Sequence, residues 1–165
     1  MQDAQREKSM TIWTPKPFIR VKVLGLVWRG AQLLAGEVED SSGRVTGVRP
    51  LGGCVEFGET REAALVREFR EELGCASEIV GPWHGFENIF EHEGRIGHEY
   101  VFAANLRLAE ERFYQTDRID YFEDDGALLT AKWFTPTALP EGVELYPGGL
   151  LALVEDGVTA PPEAT

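Results

Sequence analysis

Cysteine is nearly absent from this chain of 165 residues: Cys54 and Cys75 are too few for a disulfide framework and lack the paired spacing of a zinc site. Histidine is as scarce, and His84 and His92 belong to no pattern. Long apolar runs are missing, and none approaches the roughly 18–20 residues that span a bilayer. Basic residues are outnumbered, 16 Lys and Arg against 28 Asp and Glu, for a formal net charge of −12. That balance argues against non-specific nucleic-acid binding, in which Lys and Arg must meet phosphate. No repeat, low-complexity tract or linker divides the sequence. Residues 1–17 are polar and hold no apolar signal core, so they are expected to form a flexible arm, with residues 158–165 as a flexible tail. What is left is a composition of 43% hydrophobic and 27% charged residues, which fits one soluble domain in a reduced, cytoplasmic setting.

Strand-forming segments are frequent. Residues 18–28 (FIRVKVLGLVW) are apolar and β-branched, and Arg29-Gly30 turns them into a partner strand over 31–38. Residues 40–43 have loop composition, and 44–51 form a further short strand broken by Pro50 and the Gly52-Gly53 pair. Downstream, strands are expected over 79–90, interrupted at Gly81-Pro82, and over 98–108 after a turn at 94–97. Residues 112–125 are polar, acidic and mixed with aromatics, which predicts a loop or flap. A short strand over 131–134 and a last helix from Pro147 to about Glu155 complete an α+β domain.

One helix is marked at both ends. Thr60 is a good N-cap, Gly74 a good residue just past the C-terminus, and no Gly or Pro interrupts 61–73. At about 100° per residue, Leu65, Val66, Phe69 and Leu73 make its apolar stripe, with Glu68, Glu71 and Glu72 expected on roughly the opposite side. These acids stand at i, i+3 and i+4, so one region of the helix collects about three negative charges, which repel one another. A hard divalent cation takes oxygen ligands and converts that cost into a binding site. The plain alternative is a solvated acidic face beside Arg67 and Arg70.

The spacing to the preceding glycines favours the metal site. Residues 53–75, GCVEFGETREAALVREFREELGC, resemble the signature of the Nudix hydrolase family. That signature is Gly, five residues, Glu, seven residues, then Arg-Glu-apolar-any-Glu-Glu-any-Gly-apolar. Gly53, Glu59, Arg67, Glu68, Glu71, Glu72 and Gly74 fill all its fixed positions. At residue frequencies near 6–7%, a chance match is on the order of one in a million. Phe69 and Cys75 hold the apolar slots, bulkier and less aliphatic than usual.

The resemblance implies a single domain over 18–157, an α/β/α sandwich around a mixed β-sheet with the box as a loop–helix–loop. It implies hydrolysis of a phosphoanhydride in a nucleoside diphosphate linked to another moiety, by water activated on Mg²⁺ or Mn²⁺. By the same likeness, Glu68, Glu71, Glu72 and the Gly53 carbonyl ligate the metal, and Glu68, Glu72 or a loop carboxylate acts as base. Arg67 orients a carboxylate, while Glu59 and Gly74 support the box. The partner is a small nucleotide or diphosphate conjugate, with no nucleic acid and no membrane, and the protein is a monomer or homodimer. A catalytically silent nucleotide-binding regulator on the same fold is the alternative, and an interaction domain with a merely acidic helix is a third reading.

Outside the box no motif fixes a role. Relatives often recruit an acid just before a Trp-containing strand, but residues 129–132 before Trp133 hold none. Glu99, Glu123, Asp124 and Asp125 are the nearest candidates. His98 and Glu99 open a strand and could line a cleft. Trp83, Phe86, Phe90, Tyr114, Tyr121 and Phe122 could stack on a base or simply pack. The family's downstream markers for ADP-ribose, dinucleoside polyphosphates and NADH are missing.

Overall fold

Two β-sheets form the scaffold of the computed structural model, which describes residues 13–123 and 125–161. Residues 1–12 of the arm expected over 1–17, residues 162–165 of the tail expected over 158–165, and Asp124 lie outside the described residues. In the first sheet, β1 (Ile19–Leu26) runs antiparallel to β5 (Gly52–Cys54) on one side and parallel to β7 (Arg95–Leu108) on the other. The β6 strand (Ser77–His92) completes it, paired with β7. The second sheet has the order β10 (Glu144–Leu145), β4 (Val45–Pro50), β3 (Gln32–Glu39), β9 (Leu128–Phe134), β8 (Arg118–Phe122), with β2 (Trp28–Arg29) on β3. One parallel pair in each, β1 with β7 and β10 with β4, makes both sheets mixed.

Helix α1 (Arg61–Leu73) packs in one hydrophobic core and α3 (Gly149–Glu155) in the other, while α2 (Arg112–Gln115) is a single turn. The result is the α/β/α sandwich implied by the resemblance, built on two mixed sheets. Strand alternation produces the two cores. Val23 and Val27 join Leu65 and Phe69 of α1, whereas Leu24 and Leu26 join Leu150 of α3. Among the described residues no helix is long and apolar enough to cross a membrane.

The ends of α1 fall where the sequence places them. The Thr60 hydroxyl accepts from the Ala63 N–H at 3.1 Å, and Gly74 takes the left-handed conformation, φ 64°, donating its N–H to the Arg70 carbonyl. The stripe differs. Glu68 is among the buried residues of α1, with Ala64, Leu65 and Phe69. Three residues beyond Leu65 is about 300° of rotation, hence only about 60° away, and Glu72 returns almost to the Leu65 direction. Of the three acids, Glu71 alone faces solvent.

Other elements also depart from expectation. In the region expected as a loop or flap over 112–125, residues 112–122 are packed: Phe113, Ile119 and Tyr121 are buried in the α1 core, and the alternation of Ile119 and Tyr121 with Asp120 and Phe122 makes β8. Pro50 closes β4 opposite Ala35 without ending the sheet structure, since residues 52–54 cross to β1 as β5. The turn expected at 94–97 is at Glu93-Gly94, both with positive φ as a tight hairpin requires. Gly81-Pro82 falls at a register shift within β6 and does not end it. The last helix begins at Gly149, two residues after Pro147.

Phe69 is fully buried, and its ring lies where a Cβ on Gly25 of β1 would stand, at 2.5 Å. Phe69→Ala should therefore cost about 3–5 kcal/mol of unfolding free energy, read from urea denaturation midpoints.

Candidate active site

A single guanidinium organises the box. Arg67 Nε donates to Glu59 Oε1 at 2.7 Å, and Nη2 donates to Glu59 Oε2 and to the Cys54 carbonyl, both at 3.0 Å. Its Nη1 donates to Glu68 Oε1 at 3.0 Å and to Glu71 Oε2 at 3.1 Å. All N–H groups of the guanidinium are thereby used. Sequence spacing pointed to the Glu71 contact alone; the fold adds the others by bringing β5 and the 55–60 loop against the helix. Glu59 also accepts the Glu56 N–H at 3.1 Å, which closes the loop on itself. The Arg67 hydrogen bond, then that of the Glu56 N–H, hold the Glu59 carboxyl below its usual range. Reciprocally, the Glu59 hydrogen bond, followed by the charge of Glu68, outweighs burial and raises Arg67.

Glu68 is 2% exposed. Its carboxylate lies against Gly53, where any Cβ would collide with it. Glycine is required there by the close approach of helix and strand. One turn further, half-buried Glu72 faces Tyr121 of β8. Burial raises the Tyr121 phenol above its usual range, and the charges of Glu123 and Glu72 add to the effect while Arg49 opposes it. Arg49 in turn donates to Glu123 Oε1 at 3.2 Å. Among the described candidate acids outside the helix, Glu123 is the one that shares the neighbourhood of Tyr121 with Glu72. Asp125 accepts the Ala127 N–H in the turn between β8 and β9.

His98 and Glu99, neighbours in sequence, point to opposite faces of β7. His98 meets Glu87 at 3.1 Å on the outer face, beside Tyr100. Glu99 is buried on the inner face, accepting from Arg20 and Asn88. Most of the candidate stacking aromatics are packing residues: Tyr121 is core, Phe86 packs in the α3 core, Tyr114 stacks on Trp133, and Phe90 covers Gly97. Trp83 carries the Arg61 guanidinium over its ring, and Phe122 is 60% exposed. Sequence reading missed Arg20, Lys22 and Arg49. The signal for Lys22 was present, a lone ammonium in phase with Leu24 and Leu26 on an apolar strand.

Glu68, Glu71, Glu72 and the Gly53 carbonyl supply only hard oxygen donors, the set that Mg²⁺ or Mn²⁺ takes. The fit is one of donor type and of the cradle at Gly53. Among the described residues no cluster of three or more His, Cys, Asp and Glu side chains stands ready as a metal cage. Arg67 spans Glu68 and Glu71 in this arrangement.

A profile of the NUDIX domain matches residues 19–153. Among solved structures, the chain resembles a MutT NUDIX hydrolase from Burkholderia pseudomallei at 23% identity and TM-score 0.51, covering 86% of this chain and 99% of that one. It resembles the ORF135 protein of E. coli at 22% identity and TM-score 0.51, over 88% and 95% of the two chains. An ADP-ribose pyrophosphatase from Streptococcus suis follows the same fold at 16% identity and TM-score 0.50, over 87% and 96%. A comparison with curated protein sequences gave no match.

Because the Glu59 carboxyl is depressed in the folded chain, its contribution to stability is present above the ordinary glutamate range near pH 4.3 and is lost as pH falls through the lower folded value. Wild type should therefore exceed Glu59→Gln in urea midpoint at pH 7, and the gap should close as the pH falls below the folded value of Glu59. A gap independent of pH would show that the ion pair with Arg67 is not its source.

Proposed function

The chain belongs to the NUDIX domain family, and we propose that it hydrolyses a phosphoanhydride in a nucleoside diphosphate linked to another moiety, with Mg²⁺ or Mn²⁺ as cofactor. The observation that carries this reading is the buried Glu68 carboxylate, seated on Gly53 with Glu72 one turn away on the packed side of α1. Burying carboxylates together is unfavourable unless cations compensate them. Arg67 compensates Glu68 from one side, and a divalent ion would compensate Glu68 and Glu72 together.

Glu68, Glu71, Glu72 and the Gly53 carbonyl would hold the ion. When bound, it supplies neutralisation of the diphosphate oxygens and a lowered pKa for water. The protein's part is positional. Arg67 fixes Glu68 and Glu71 from one planar group, and is itself fixed by Glu59 and the Cys54 carbonyl. Glu123, anchored by Arg49 near Tyr121, is the acid outside the helix best placed to accept a proton from the attacking water. Glu99 is committed to Arg20 and Asn88 and serves elsewhere. The substrate is a small nucleotide or nucleotide conjugate.

Release of phosphate or nucleoside monophosphate should be measured across nucleoside triphosphates, ADP-ribose, nucleotide sugars, NADH, coenzyme A and dinucleoside polyphosphates, with and without Mg²⁺ or Mn²⁺. The account expects metal-dependent turnover of at least one class, reduced about a hundredfold or more by Glu72→Gln. Nucleotide-dependent thermal stabilisation with no turnover anywhere would replace the enzyme by a nucleotide-binding regulator.

A further inference from the structure

Exposed apolar side chains gather on one part of the first sheet. Val23 and Phe102 pack in the α1 core, and Arg61, the first residue of α1, sets its guanidinium over the rings of Phe102 and Trp83. Strand alternation carries the same face on past the end of the helix, through Val21 and Ile19 of β1, Tyr100 and Ile96 of β7, and Ile89 of β6. These five residues are between 39% and 68% exposed. A sheet face turned to water ordinarily alternates to polar residues, and this one stays apolar.

Together they offer on the order of 500 Å² of accessible surface, the upper end of the roughly 300–600 Å² that a monomer carries as one apolar patch. His98, Glu87 and Glu91 adjoin them and extend the face towards the roughly 800 Å² per partner that a stable dimer buries. Ile19, His98 and Ile89 lie in one row across the three strands. On one side of that row stand Val21, Tyr100 and Glu87, with α1 beyond them. On the other stand Ile96 and Glu91, with the Glu93-Gly94 turn beyond.

We propose that a second copy of this chain docks on this face, giving a homodimer with a twofold axis that runs across the strands along the row of Ile19, His98 and Ile89. Such an axis exchanges the two sides of the row. Each Tyr100 then meets the partner's Ile96, and the two sheets pack at the ordinary separation of about 10 Å. Each helix α1 stands as a step at one side of the row, and the end of the partner's β6–β7 hairpin comes against that step, so helix does not collide with helix. Arg61 at the start of α1 is brought to the partner's Glu91 and Glu93, which sets opposite charges at both ends of the interface. Glu87, brought towards the partner's Glu91, has His98 beside it at 3.1 Å.

Sedimentation velocity of the full chain over about 1–100 µM tests the proposal. Wild type should sediment at twice the chain mass at the upper end of that range. Ile96→Lys and Ile89→Lys should each weaken association about tenfold or more, because each puts an unpaired charge into the apolar contact. Leu128→Lys, at a comparably exposed apolar residue of β9 in the second sheet, should leave association unchanged. All three side chains are exposed in the single chain, so each variant should keep the circular dichroism spectrum of wild type. Should one lysine variant of the face misfold, the other carries the comparison. A wild type that is monomeric throughout overturns the proposal. So does a dimer that survives either lysine on the face, or one that Leu128→Lys weakens as much. A monomer that dimerises only after removal of residues 1–12 makes those residues the occupant of the face, which also overturns it. None of these readouts needs turnover, so failure here is distinct from failure of the pyrophosphohydrolase reading.

Discussion

The box depends on one guanidinium meeting three carboxylates and a carbonyl. Arg67 ties Glu59 of the loop, Glu68 and Glu71 of the helix, and the Cys54 carbonyl of the strand to one rigid plane. Those partners come from segments that local structure alone does not bring together. The fork therefore does more than offset the repulsion among acids spaced i, i+3 and i+4. It fixes where the end of β5 stops relative to α1, and with it the close contact of Gly53 on the Glu68 carboxylate. A lysine at 67 could supply charge but not the planar set of donors.

The sandwich around this fork sets how close helix and sheet come. Gly53 and Gly25 lie beneath Glu68 and Phe69, which are adjacent in α1, so the absent Cβ atoms admit an acid and an aromatic side by side. The neighbouring Val23 and Leu51 belong to the same core. An acid is thus carried into the interior by the same surface that carries the largest fully buried side chain. The acidic helix is not a solvated face, because two of its three acids are turned inward by the helix period itself.

Much of this was legible in the sequence. Caps and the lack of breakers located α1, and the fixed spacing of Gly53, Glu59, Arg67, Glu68, Glu71, Glu72 and Gly74 identified the box. Less legible was the side on which Glu68 lies, because an acid beside an apolar stripe reads as solvent-facing until Gly53 is seen across from it. The segment 112–125 was missed because its charged and turn residues masked a short alternation that only becomes a strand when β9 pairs with it. The separation of His98 from Glu99 follows from strand alternation, which turns adjacent residues of β7 to opposite faces. Arg20, Lys22 and Arg49 carry no motif; their relation to the box exists only through sheet register.

The chain is strongly acidic, and a divalent ion would complete the charge balance on the helix side. The central claim is that the carboxylates of α1 hold that ion. Titration of Mn²⁺ into the protein, followed by loss of the free-ion electron paramagnetic resonance signal, tests it without reference to any substrate. Saturable binding to wild type that disappears in a variant with Glu68, Glu71 and Glu72 all changed to Gln is the predicted result. Binding that survives all three substitutions, in a variant that remains folded, would contradict the account.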